Sequence, residues 1–161
     1  MDAARRRMLI ERYKDGYRAV RDAVDQLSAG ELDVAAEGSD WTPRQIVHHL
    51  ADSETTSGIR LRRLLAEDQP VIEGYDENAF ARRLHYDRPI AASLEVLRAV
   101  RMASAELLER LGEAEWTRGG THSESGAYSV ETWLEIYAAH THEHAEQMLR
   151  GRARPASNPG A

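Results

Sequence analysis

The residues best suited to chemistry in this 161-residue chain are its histidines. Five of the seven fall in two clusters, His48–His49 and His140, His142, His144. Imidazole is the side chain most often used to hold a transition metal at neutral pH. Helical phase sorts the clusters. Residues four apart on a helix share a face. His140 and His144 therefore stack together, on the face that carries Val130, Trp133, Tyr137, Ala145 and Met148. His142 points the other way. In the earlier cluster the apolar stripe is Ile46, Leu50, Ser57, Leu61 and Leu64. His49 lies on one shoulder of that stripe and Glu54 on the other, while His48 lies nearly opposite. The spacing thus directs three imidazoles and one carboxylate inward. His48, His142 and His85 are expected in water.

Three neutral imidazoles suit zinc, nickel, iron or copper far better than calcium or magnesium. Three protein ligands also leave a coordination position open, as catalytic metal sites require. One divalent transition metal is the expected cofactor: zinc or nickel first, with iron, manganese or copper as alternatives. Each residue has a plainer reading beside this one. A buried histidine is commonly only hydrogen-bonded in the core. Glu54 is a candidate catalytic base, or simply the partner of an arginine such as Arg60 or of a base on another helix. Asp52 is a candidate acceptor for an imidazole N–H, or a solvated surface acid. His122 and Ser125 either line the mouth of a site or are ordinary loop polarity. Trp41, Trp133 and Tyr137 either wall a pocket or belong to the core.

Other chemistry is excluded or unsupported. The chain has no cysteine, which rules out disulfides, iron–sulfur clusters, thiolate zinc sites and a cysteine nucleophile. HExxH, P-loop, GxGxxG and GxSxG motifs do not occur. A formal charge of −6 is a poor footing for electrostatic binding to nucleic acid or to an anionic membrane. No segment approaches the ~20 apolar residues of a membrane span, and the N-terminal arginines are followed by no long apolar run. The expected setting is the cytoplasm.

The elements that must position these residues are helical. Met8, Leu9, Tyr13, Tyr17, Val20, Val24 and Leu27 recur at helical spacing over 3–28, with Gly16 inside at a propensity cost of roughly 1 kcal/mol. Thr42, Pro43 and Gln45 form a capping box with proline at the first helical position, opening a helix over 43–66. Residues 68–79 connect, with a short helix around 76–84. Ile90, Leu94, Leu97, Val100, Met102, Leu107, Leu108 and Leu111 predict a helix over 90–111. Residues 113–128 form the longest irregular stretch, with room for a small hairpin. Ser129 caps a last helix running to about 150, with Glu131 in its first turn where the dipole favours an acid. The pattern is all-α: a four-helix bundle with one short extra helix, in a single domain over 1–150. The tail 151–161, rich in Gly, Pro and Ala, is expected to be disordered.

The segments WTPRQIVHHLADSE (41–54), PVIEGYDENAF (70–80) and YSVETWLEIYAAHTHEHAEQM (128–148) resemble the DinB-like superfamily and, within it, the YfiT-like branch. The resemblance spans almost the whole domain. It implies an up-down-down-up bundle holding a divalent metal on three histidines, which correspond to His49, His140 and His144. It also implies a homodimer. The chain departs from some YfiT-like sequences in carrying Glu54 where they have histidine, and Gln147 where another can occur. Activities in this superfamily include low-molecular-weight thiol S-transfer and thiol-dependent isomerisation, while other members are named hydrolases.

Three functions follow as expectations. In the first, the metal lowers the pKa of a small-molecule thiol, whose thiolate attacks an electrophile. In the second, the open position activates water for hydrolysis, with Glu54 as base. In the third, the bundle is a non-catalytic, metal-stabilised ligand-binding protein of stress response.

Overall fold

The computed structural model describes residues 1–150, so the expectation for the tail lies outside the described residues. Four long helices build the body: α1 (Ala3–Asp25), α2 (Pro43–Ala66), α4 (Ala91–Leu108) and α5 (Val130–Leu149), with the short α3 (Glu77–Arg83) between α2 and α4. The helix starts follow local chemistry. The Thr42 hydroxyl accepts from the Gln45 N–H at 3.3 Å and the Gln45 side chain accepts from the Thr42 N–H at 2.9 Å, closing the expected box. Ser129 accepts from the Thr132 N–H at 3.1 Å. Two further caps, Asp2 on α1 and Asp76 on α3, serve in the same way. The first helix ends about a turn earlier than its apolar spacing suggests. Leu27 still packs on the core, but from the loop.

The connections hold more structure than the irregular stretch predicted over 113–128. Its hairpin is real: β2 (Gly119–His122) pairs antiparallel with β3 (Gly126–Ser129). A third strand, β1 (Val71–Ile72), joins it in parallel, Ile72 opposite His122. β1 is too short for an alternating pattern to show, so the sequence did not reveal it. The Gly120 position requires glycine, because a Cβ there would lie 2.0 Å from the Pro70 carbonyl oxygen.

α1 packs against α5 and α4, and α2 against the same two helices, so α1 and α2 sit diagonally across the bundle. The core falls into two apolar clusters. One gathers Leu9, Leu61, Leu64, Leu108, Trp133 and Leu134; the other gathers Val20, Ile46, Leu50, Leu94, Leu97 and Met148. A polar layer lies between them, centred on Arg101, which is 2 % exposed. Its guanidinium reaches Glu54 Oε2 at 2.6 Å, the Tyr13 carbonyl at 2.5 and 3.0 Å and the Tyr137 carbonyl at 3.2 Å. The Tyr13 hydroxyl donates to the other Glu54 oxygen. One ion pair on α4 and α2 therefore grips the backbones of α1 and α5, and all four helices meet at this layer.

Gly16 makes room for it. A Cβ there would stand 2.1 Å from Thr141 Oγ1 and 2.6 Å from Arg101 Nη2. By local propensity Gly16 is a tolerated helix defect, and alanine would favour the helix. The packing reverses the sign. Gly16→Ala is expected to lower stability by about 2 kcal/mol, since overpacking against a fixed guanidinium outweighs the propensity gain. Urea unfolding checks this; a gain in midpoint would refute it. Among the described residues, no helix is long and apolar enough to cross a membrane.

Candidate metal centre

α2 and α5 bring three histidines to one place. His49, His140 and His144 each offer a ring nitrogen, and these nitrogens lie within 4.8 Å of one another. His49 Nε2 and His140 Nε2 are 3.3 Å apart. The three rings stand edge to face, with centroids 4.7–5.3 Å apart. His49 is buried and the other two are half-buried, so the group faces out on one side.

Burial holds the rings neutral. It pushes His49 and His140 down to about 3, with the neighbouring imidazoles adding to the effect, and it lowers His144 as well. Neutral imidazole is the metal-binding form. His144 is also oriented. Its Nδ1 donates to the Gln147 Oε1 at 2.7 Å, and the Gln147 amide donates onward to Ser39 Oγ at 2.9 Å. That fixes the ring proton on Nδ1 and leaves Nε2 as a lone pair. Trp41 meets His49 edge-on at 4.8 Å between centroids and closes one flank.

The donor set fits a transition metal. Two imidazole nitrogens on a tetrahedral ion with bonds of about 2.0–2.1 Å stand roughly 3.3–3.4 Å apart. The His49–His140 separation has that value, and all three ligand nitrogens lie within 4.8 Å of one another. His49 Nδ1 is buried without a hydrogen-bond partner, and the Nε2 of the same ring meets His140 Nε2. Among the described residues, no carboxylate joins the group.

His48, expected in water, is fully buried: its Nδ1 accepts from the Ser93 hydroxyl at 2.8 Å and its Nε2 donates to the Arg88 carbonyl at 3.0 Å. α4 and the segment before it cover the side of α2 that a lone amphipathic helix would expose. His142 is only partly exposed and reaches the Arg12 carbonyl at 3.0 Å, whereas His85 is exposed as expected. Asp52 accepts from the Tyr86 hydroxyl at 2.7 Å and not from an imidazole. Glu54 is 1 % exposed and its partners are Arg101 and Tyr13, not Arg60. Burial pushes its carboxyl up, against the pull of Arg101. Trp133 is core: fully buried, with its indole N–H on the Ser57 carbonyl at 2.8 Å. Tyr137 packs on His140 at 5.9 Å and accepts from Arg60 at 3.3 Å. His122 and Ser125 line a pocket with Tyr137. Arg101 belongs to no motif, but its phase marks it: it continues the stripe Leu94, Leu97, Leu108, where a charge demands a buried partner.

Bundle, histidine group and sequence agree on a family. The DinB superfamily profile matches residues 12–148, and the chain belongs to that superfamily. It is 36% identical over 135 residues to an Oceanobacillus iheyensis protein named "Putative metal-dependent hydrolase", covering 84% of this chain and 78% of that one. It is 32% identical over 127 residues to YfiT of Bacillus subtilis, which bears the same designation, covering 78% and 71% of the two chains. The solved structure of YfiT, described as "a probable metal-dependent hydrolase with an unusual four-helix bundle topology", superposes with a TM-score of 0.86 at 28% identity, over 92% of this chain and 86% of that one.

Proposed function

We propose that this chain is a metal-dependent enzyme that joins a low-molecular-weight thiol to an electrophilic substrate, with His49, His140 and His144 as the metal ligands. The observation that carries the reading is a trio of convergent neutral imidazoles with no carboxylate among them. A divalent transition metal held there would supply the Lewis acidity that makes a coordinating thiol ionise without a protein base. The thiol proton would pass to solvent, and the thiolate would form a carbon–sulfur bond at the electrophile as the displaced group leaves with the bonding electron pair. The chain contributes orientation through Gln147 and a dry flank through Trp41. Because the thiol brings its own sulfur, a cysteine-free protein suffices.

Hydrolysis is the second reading, favoured by the names that the relatives carry. It asks for a base, and both oxygens of Glu54 are already bonded to Tyr13 and Arg101. Metal-loaded protein is expected to consume an alkylating fluorophore above background with at least one of glutathione, bacillithiol, mycothiol or coenzyme A. No consumption with any of the four, together with cleavage in an ester and amide panel, would overturn thiol transfer in favour of hydrolysis.

A further inference from the structure

Next to the histidine group lies a pocket of about 250 Å³ whose polar groups the thiol chemistry does not use. Tyr137 is the wall common to both, since it lines the pocket and its ring packs against His140. Arg60 enters from α2. Its Nη1 donates to the Tyr137 hydroxyl at 3.3 Å and its Nη2 to the Glu73 carbonyl at 2.6 Å, so the guanidinium is held from two sides. Its Nε is buried and has no partner. Tyr75 also lines the pocket, beneath the Arg60 guanidinium at 5.8 Å. Its hydroxyl is likewise buried and unpaired; the Ser53 hydroxyl lies near it without a bond of normal geometry. His122, on β2, accepts the Glu124 N–H at its Nδ1 at 3.2 Å, which puts its ring proton on Nε2.

Two buried donors without a well-formed bond and a tautomer-fixed imidazole line this pocket. Buried donors without partners are costly, and a fixed arginine with a free N–H suits a planar carboxylate. The pocket also carries Glu77 and Glu124. A polyanion such as phosphate would face both acids, whereas a single carboxylate seated on Arg60 meets less repulsion.

We infer that Arg60 and Tyr75 form the substrate-specificity subsite of this enzyme and bind a carboxylate group of the substrate while its reacting end lies at the histidines. The assignment rests on the metal-enzyme reading for what the subsite serves, but carboxylate binding there is measurable without metal. The experiment follows the side-chain Nε–H resonance of Arg60 in nitrogen–proton correlation spectra of metal-free and metal-loaded protein. The probes are hexanoate, methyl hexanoate and inorganic phosphate. Hexanoate is expected to move the Arg60 signal saturably. Arg60→Gln and Tyr75→Phe are each expected to weaken hexanoate binding about tenfold or more, from the loss of one charge-assisted or buried bond. In Arg60→Gln the affinity is read from tryptophan fluorescence, and the helical circular dichroism is expected to match wild type. Equal binding of the methyl ester, tighter binding of phosphate, or no saturable movement would overturn the subsite. If the protein takes up no metal yet hexanoate binds as described, the metal reading fails and the carboxylate site stands. If metal binds and hexanoate does not, the reverse holds.

Discussion

Replacing His144 by alanine is expected to take the protein from about one transition-metal ion per chain to none, measured by inductively coupled plasma mass spectrometry on untagged, reconstituted protein. The loss follows from the ligand count. With His49, His140 and His144 an ion would have three protein bonds; with two it would have no closed face and would exchange into buffer. Gln147→Ala acts on the same ligand indirectly. It removes the acceptor that holds the His144 proton on Nδ1 at 2.7 Å, so the ring is free to turn and change tautomer. Loss of such an orienting bond weakens metal affinity by roughly 10–100-fold. A competitive chelator titration reads that step, which mass spectrometry at saturation would miss. His48→Gln is the contrast. It lies next to His49 in sequence, but its nitrogens belong to Ser93 and Arg88, so metal content is expected to stay at the wild-type level. Equal metal in wild type and His144→Ala would remove the basis of the metal-enzyme reading.

The second large effect is on stability. Arg101→Met is expected to destabilise the fold by roughly 3–5 kcal/mol, because it strands the Glu54 carboxylate in the bundle interior. For a chain of this size that lowers the melting temperature by roughly 10 °C or more. Glu54→Gln is expected to cost a similar amount by leaving the guanidinium unpaired, although its hydrogen bonds to the Tyr13 and Tyr137 carbonyls remain. The double variant Glu54→Gln, Arg101→Met is expected to be markedly more stable than the sum of the single losses, since removing both charges removes the desolvation penalty of each. Calorimetry on the four proteins measures the coupling. Additive losses would show that the pair does not act as a unit. The layer has a bearing on the metal site too. Arg101 grips the Tyr137 carbonyl, one turn before His140, so the polar layer fixes α5 where it must present its histidines.

Local chemistry alone determined much of this protein. The Thr42–Gln45 box set the start of α2, the Ser129 cap set the start of α5, and helical phase turned His49, His140 and His144 inward. These features depend on neighbours within one or two turns, which the sequence displays directly. The residues that were misplaced depend on what lies across the bundle. His48 sits opposite the main stripe of α2, but a second surface, α4 and the chain before it, covers that side. Glu54 could be phased inward from the sequence, yet its partner stands 47 residues away on α4. The three-stranded sheet joins β1 to a hairpin far along the chain, and no periodicity marks a strand as short as Val71–Ile72. Gly16 shows the division most sharply. By local propensity it is a defect in α1, and only the approach of Arg101 and Thr141 makes a missing Cβ a requirement. Periodicity assigns a side chain to a face, but which side chain from another helix meets it is decided by packing.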